Sequence, residues 1–192
     1  HNMSSILKVD QLQDSGGNEI ITSNGSGTIT VNNQTFKNGI TMADQWRITA
    51  DTNTSTNADI TANWERVDDT GWSGIGTGMT ESSGIFSFPS TGIYLITFSG
   101  RFTIAGSDGT LGVTFNTTVN NSTFTTVGQI DCGNGSSGAV AGMAFNTILF
   151  DVVDTSNYKI KFSTVNLGTG TKLIGSTSNT KTAATFVRLG DT

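Results

Sequence analysis

The chain of 192 residues has one cysteine, one proline and one histidine, and only 13% of it is charged. A single cysteine, Cys132, excludes a disulfide framework within the chain. It suits a small buried or half-buried thiol, or a contact with symmetry mates near an oligomer axis. The histidine is His1, ahead of Asn2 and Met3, and the HNM start reads as a cloning remnant. On that reading the natural protein has no histidine, which removes most of the usual acid–base vocabulary. Positive charge is also scarce. Ten Lys and Arg stand against fifteen Asp and Glu, a net charge of -5 with no basic stripe, which excludes a nucleic-acid partner. Nothing approaches eighteen consecutive apolar residues, so no membrane span is expected. The basic start and apolar run of a secretory signal are missing too.

Glycine is abundant at 24 residues, and the polar remainder is mostly Thr, Ser and Asn. That mixture disfavours helices, because Thr loses rotamer freedom there and Ser and Asn compete for backbone hydrogen bonds. It suits short strands joined by tight turns, so the chain is expected to be all-β. Strands are expected at Gln45–Thr49, Asp59–Val67, Gly84–Phe88, Gly92–Ile104 and Leu111–Val119. Others are expected at Ser122–Ile130, Ala139–Val153, Asn157–Val165, Lys172–Gly175 and Ala183–Leu189. TSTN, STG, GSDG, NNS, GNGSSG, DTSN and TGT supply the turns between them. This spacing, without intervening helices, predicts a sandwich or barrel from residue 42 to 192.

Two strands have more apolar character than a solvated sandwich needs. Gly92–Ile104 aims Tyr94, Ile96, Phe98, Phe102 and Ile104 one way, and its other face begins with Ile93 and Leu95. Ala139–Val153 carries Met143, Phe145 and Leu149 on one face and Ile148, Phe150 and Val152 on the other. An antiparallel strand normally keeps one polar face, so the second apolar face predicts cover by another chain. Residues 1–41 differ. Their apolar pairs, Leu7 with Val9 and Ile29 with Val31, are too thin to offset about 1–2 kcal/mol of backbone entropy per residue. That segment is expected to order only beside partners.

The stretch SGIFSFPSTGIYLITFSGRF, with Phe88, Gly92, Tyr94 and Ile96 or Phe98 in place, resembles the tumour necrosis factor and complement globular-head superfamily. The terminal TAATFVRLGDT resembles that superfamily's last strand, and FNTTVNNSTF its strand–turn–strand with an Asn-rich tip. The likeness covers roughly residues 45–190. The opening SSILKVDQLQDSGGN, the centre from ADQWRITADTN onward and the closing FVRLGDT are similar to structural proteins of marine tailed phages, cyanophages among them. The resemblance implies a jelly-roll β-sandwich head that packs as a homotrimer, with the N-terminal segment as a stem joined to other virion proteins. It implies a location on the phage particle, in an appendage or decoration protein used for assembly and surface adhesion. The alternative is a carbohydrate-binding recognition domain at a tail-fibre tip. Tyr94, Phe98 and Phe186 are expected at or just beneath the three-fold contact. The collagen-like stem is absent, and no evident calcium-ligand cluster carries over.

The remaining chemistry is thin, and neither a catalytic site nor a cofactor is expected. GIGTG at Gly74–Gly78 lacks the following helix or Gly-Lys-Ser/Thr of a phosphate loop and is expected to be a flexible hairpin loop. Asp68 with Asp69, if on a strand, point to opposite faces, and Asp151 with Asp154 sit at a strand end and turn. Structural roles are expected for all four, with an oxygen-ligated cation as the alternative. Trp46 and Trp64 fall in strand patterns and are expected to pack in the core or an interface. Trp72, between turn residues, is the candidate for contact with a host-surface glycan.

Overall fold

A computed structural model describes residues 11–27, 29–31, 39–52, 57–106 and 108–192. The Leu7–Val9 pair and most of the TSTN turn lie outside them. The chain forms two compact units, His1–Gly39 and Ile40–Thr192.

In the first unit β1 (Gln11–Gln13), β2 (Glu19–Ser23) and β3 (Ile29–Val31) make an antiparallel meander. Asp14 closes the first turn: its Oδ1 accepts the amides of Gly16 at 2.8 Å and Asn18 at 2.9 Å. The hydrogen bonds from Asn18, side chain first and then backbone, hold this exposed carboxyl below the usual carboxylate range. In β1 and β2 no side chain is buried, and Leu12 is half exposed.

The second unit contains β4 (Met42–Ile48), β5 (Ala58–Asp59), β6 (Trp64–Arg66), β7 (Thr80–Ser82), β8 (Ile85–Ser87) and β9 (Gly92–Ile104). It continues with β10 (Asp108–Thr118), β11 (Thr125–Asn134), β12 (Val140–Val152), β13 (Lys159–Val165), β14 (Lys172–Leu173) and β15 (Ala183–Gly190). These form two antiparallel sheets. One runs β12-β9-β15-β4-β6 with β14 on β9, and the other runs β11-β10-β13-β8-β7 with β5 on β13. Neighbouring strands are mostly distant in sequence, as in a jelly roll, and the core lies between the sheets. Ring pairs cross it: Phe98 meets Phe162 at 4.8 Å between centroids, and Phe86 meets Phe186 at 5.2 Å. Among the described residues no buried side-chain nitrogen or oxygen lacks a partner.

The strong alternation of β9 is realised residue by residue, with Tyr94, Ile96, Phe98, Phe102 and Ile104 all inside. Other expectations need correction. The single strand expected over Asp59–Val67 is two short pieces on different sheets. Asn63, at φ 65°, turns the chain between them, a left-handed conformation that Asn tolerates. The hairpin partner β7 was not expected, since TES carries no apolar alternation. GIGTG is a bend bridged to β4 rather than a flexible hairpin loop: Ile75 exchanges both backbone hydrogen bonds with Ala43 at 2.9 and 3.1 Å. A Cβ at Gly76 would sit 2.2 Å from the Thr41 carbonyl oxygen, so glycine permits this close approach.

Gly92 opens β9 at φ +141°, and a Cβ there would lie 2.4 Å from the Gly190 carbonyl oxygen. Replacing Gly92 with Ala is expected to cost about 2–4 kcal/mol, from backbone strain and overpacking together. The control is Gly109, where a Cβ meets nothing within 4 Å. Urea unfolding would read the difference as a shift in midpoint at unchanged slope; equal midpoints for the two variants would refute it.

Candidate functional site

The outer face of the β12-β9-β15-β4-β6 sheet is built from the residues that alternate with the core set. Register aligns them in rows across the sheet. One row is Leu149, Leu95, Val187 and Ala43; the next is Thr147, Thr97, Thr185 and Gln45; the third begins Phe145, Ser99 and Ala183. The middle row is zipped by side chains, Thr97 to Thr147 at 2.8 Å and Gln45 Nε2 donating to Thr185 Oγ1 at 2.9 Å. Phe145 is 74% exposed, Met143 69% and Leu149 65%, while Ile93, Leu95 and Val187 are half-buried. The two apolar faces expected of this strand are present: Ile148 and Phe150 pack against the core, and Val152 is buried within it.

Tyr94, Phe98 and Phe186 lie beneath this face, on its core side. Each is fully enclosed within one chain. The Tyr94 hydroxyl donates to the Ser90 carbonyl at 2.9 Å, and its ring stacks on Phe88 at 4.7 Å. None of the three reaches the outer surface of the sheet, which is formed by the residues that alternate with them. Ile93, Leu95 and Val187 are among those residues.

Trp72 is half-buried and walls a small pocket of about 220 Å³ with Ala43, Asp44, Arg66 and the three glycines of GIGTG. The pocket floor is already occupied with internal bonding. Asp44 Oδ1 accepts the Arg66 Nε and the Gln45 amide, both at 3.0 Å. Its Oδ2 accepts Trp46 Nε1 at 2.9 Å, the Met79 amide at 2.8 Å and Arg66 Nη2 at 3.1 Å. Arg66 also stacks over the Trp46 ring, 4.7 Å from its centroid. Little is left for a ligand to engage.

Sequence reasoning missed this cluster and a second one around Arg47. Arg47 is 1% exposed, and its guanidinium donates to Glu65 at 2.8 Å, Asp69 at 2.8 Å and Asp68 at 2.7 Å. Asp68 and Asp69 follow β6 in a loop, not a strand, so both carboxylates reach the same cation. The hydrogen bond to Asp69 raises the guanidinium pKa against the opposing pull of burial, with the bond to Glu65 adding to it. The available signal was an arginine inside a strand with apolar alternation, three residues after an aspartate. Asp154 is a turn residue, accepting the Ser156 amide at 2.8 Å and Asn157 Nδ2 at 2.6 Å. Among the described residues no group of three His, Cys, Asp or Glu converges as a metal site. Cys132 is half-buried beside the core, and burial, then the charges of Asp131 and Asp108, push its thiol pKa up.

No protein-family model matches the chain, and no curated protein matches it by sequence. Solved structures do. The Eiger TNF of S. frugiperda superposes with a TM-score of 0.61 at 14% identity, covering 79% of this chain and 94% of that one. The second unit has a TNF-like fold. Murine APRIL at pH 5.0 gives a TM-score of 0.58 at 18% identity, over 77% of this chain and 98% of its own. The globular domain of zebrafish complement 1qA protein aligns at a TM-score of 0.42 and 13% identity, over 76% of this chain and 94% of its own.

Proposed function

We propose that the chain is a non-catalytic structural protein of a phage particle, a homotrimeric appendage or decoration head that serves assembly and surface adhesion. The observation that carries self-association is the exposed row of Met143, Phe145 and Leu149 beside half-buried Leu95 and Val187. Soluble single chains rarely leave so much contiguous apolar surface to water. Burying each large side chain there stabilises an assembly by about 1.5–3 kcal/mol. The likeness to the TNF domain supports three copies, and the phage-like opening and closing segments support display on a virion. The meander of β1 to β3, with no buried side chain in β1 or β2, suits a segment stabilised by neighbouring virion proteins. Threefold display then multiplies weak adhesion through effective concentration.

Light scattering of the full chain across a dilution series tests the reading. One species of three chains is expected, and replacing both Phe145 and Leu149 with Asp is expected to yield single chains. Because one chain already encloses its aromatic core, those single chains keep their β circular dichroism. This differs from the dissociation coupled to unfolding that the apolar excess alone suggests. A wild-type protein that is a stable monomer at micromolar concentration would overturn the proposal.

A further inference from the structure

The outer face of the other sheet has a different character. A groove of about 530 Å³ runs over β5, β13, β10 and β11, lined by Asp59, Ser163, Thr114, Asn116 and Thr126 among others. Its volume falls in the range of small-ligand sites, but its lining is hydroxyl, amide and carboxylate. Register places Asp59, Ser163 and Thr114 in one cross-strand row, and Lys161, Asn116 and Thr126 in the next.

Asn116 organises the groove. It is 8% exposed, and its Nδ2 donates to Thr114 Oγ1 at 3.0 Å and Ser163 Oγ at 2.9 Å. Its Oδ1 accepts Thr126 Oγ1 at 2.7 Å. Ser163 Oγ in turn donates to Asp59 Oδ1 at 2.6 Å, and Lys161 Nζ donates to Asp59 Oδ2 at 2.6 Å. Lys161 Nζ also stands 4.5 Å over the Phe124 ring. Burial opposes the charge on Asp59, but the hydrogen bonds from Lys161 and Ser163 outweigh it and keep its carboxyl below the usual carboxylate range. The carboxylate is therefore ionised at neutral pH.

The bonding capacity left over describes the ligand. Each hydroxyl that donates inward keeps an oxygen lone pair facing the groove, and each carboxylate oxygen keeps acceptor capacity. The ammonium of Lys161 keeps N–H groups beyond the one directed at Asp59. The site thus offers many acceptors, a few donors at one end, and a cation already balanced by a carboxylate. Such a surface favours a neutral ligand whose hydroxyls donate to Asp59 while accepting from Lys161, as a vicinal diol does. An anionic ligand would find no uncompensated positive charge. We propose that the groove between Asp59, Lys161, Ser163 and Thr126 binds a neutral saccharide. The site deepens the adhesion reading above, and rests on it only for where the saccharide is met. It lies on the sheet opposite the apolar face, so a contact confined to that face would leave it open.

The test uses the full chain on an array of neutral hexose and N-acetylhexosamine oligosaccharides printed beside sialylated and sulfated ones. Calorimetry with the best neutral oligosaccharide follows. Binding to neutral glycans is expected, weakened at least tenfold by Asp59→Ala and by Lys161→Met, and changed less than twofold by Trp72→Ala. Both groove variants alter partly exposed side chains, and unchanged melting certifies their fold. The proposal is overturned by no neutral binding, by binding confined to anionic glycans, or by loss in Trp72→Ala with Asp59→Ala unaffected. Light scattering on the same samples separates the two readings. A trimer that binds no neutral glycan removes the groove and leaves assembly standing, whereas a monomer that binds through Asp59 does the reverse.

Discussion

Replacing Arg47 with Ala is expected to destabilise the sandwich by about 3 kcal/mol, near the lower bound for breaking a buried ion pair. The guanidinium is enclosed and meets three carboxylates at 2.7–2.8 Å. Its removal deletes charge-assisted hydrogen bonds, leaves a cavity and crowds three like charges together. The loss stays near the lower bound because the acids can rehydrate: the Asp68 side chain is 71% exposed, Asp69 41% and Glu65 36%. For a domain of this size such a loss lowers the melting temperature by about 6–12 °C. Arg47→Lys is expected to recover only part of it, since a single ammonium does not match a planar fork that reaches three partners. Asp68→Asn, removing the most exposed partner, is expected to cost under about 1 kcal/mol, as surface pairs do. Calorimetric scans of the three variants would give this ranking. An Arg47→Lys variant melting with the wild type would show that the fork geometry contributes nothing.

The sandwich was readable wherever burial follows alternation. β9 and β12 could be placed within a residue or two because their apolar periods run thirteen residues. The reading failed where polar side chains are inside. Asp44 and Arg47 are buried charges on β4, so the strand was expected to begin only at Gln45. β7 presents Thr, Glu and Ser with nothing to mark it as the partner of β8. The 59–67 stretch hid a sheet crossing, because the residue that makes it, Asn63, is one of many asparagines and nothing in the sequence marks its positive φ.

The surfaces divide in the same way. Met143, Phe145 and Leu149 were visible as an excess of apolar residues over what one core needs. The groove around Asn116 was invisible, since Thr, Ser and Asn occur throughout the chain and only register across β5, β13, β10 and β11 gathers these particular ones. Tyr94, Phe98 and Phe186, expected at or just beneath a contact between copies, lie beneath the outer face of their sheet. Their side chains serve the protomer's own core, while the residues on either side of them in sequence face outward.

The enclosure of Phe186 decides what Phe186→Asp is expected to do. At a contact between copies, the substitution would separate folded protomers. At its observed position it acts on the fold. The Phe186 ring lies 5.2 Å from Phe86 and 6.5 Å from Phe162, with no exposed surface. Removing such a ring alone costs about 3–5 kcal/mol. A carboxylate in its place, with aromatic neighbours, adds several more unless it takes up a proton. The sum reaches the whole stability of an ordinary domain, about 5–15 kcal/mol. Phe186→Asp is therefore expected to lack near-ultraviolet dichroism and cooperative melting at every concentration. Phe145→Asp, which places the same charge on the outer face of the same sheet, is expected to keep both and to lose only association. The comparison is read from melting curves and light scattering on the two proteins side by side. A Phe186→Asp protein that melts cooperatively as a single chain would place that ring at a contact between copies, and the core described for β15 would be wrong.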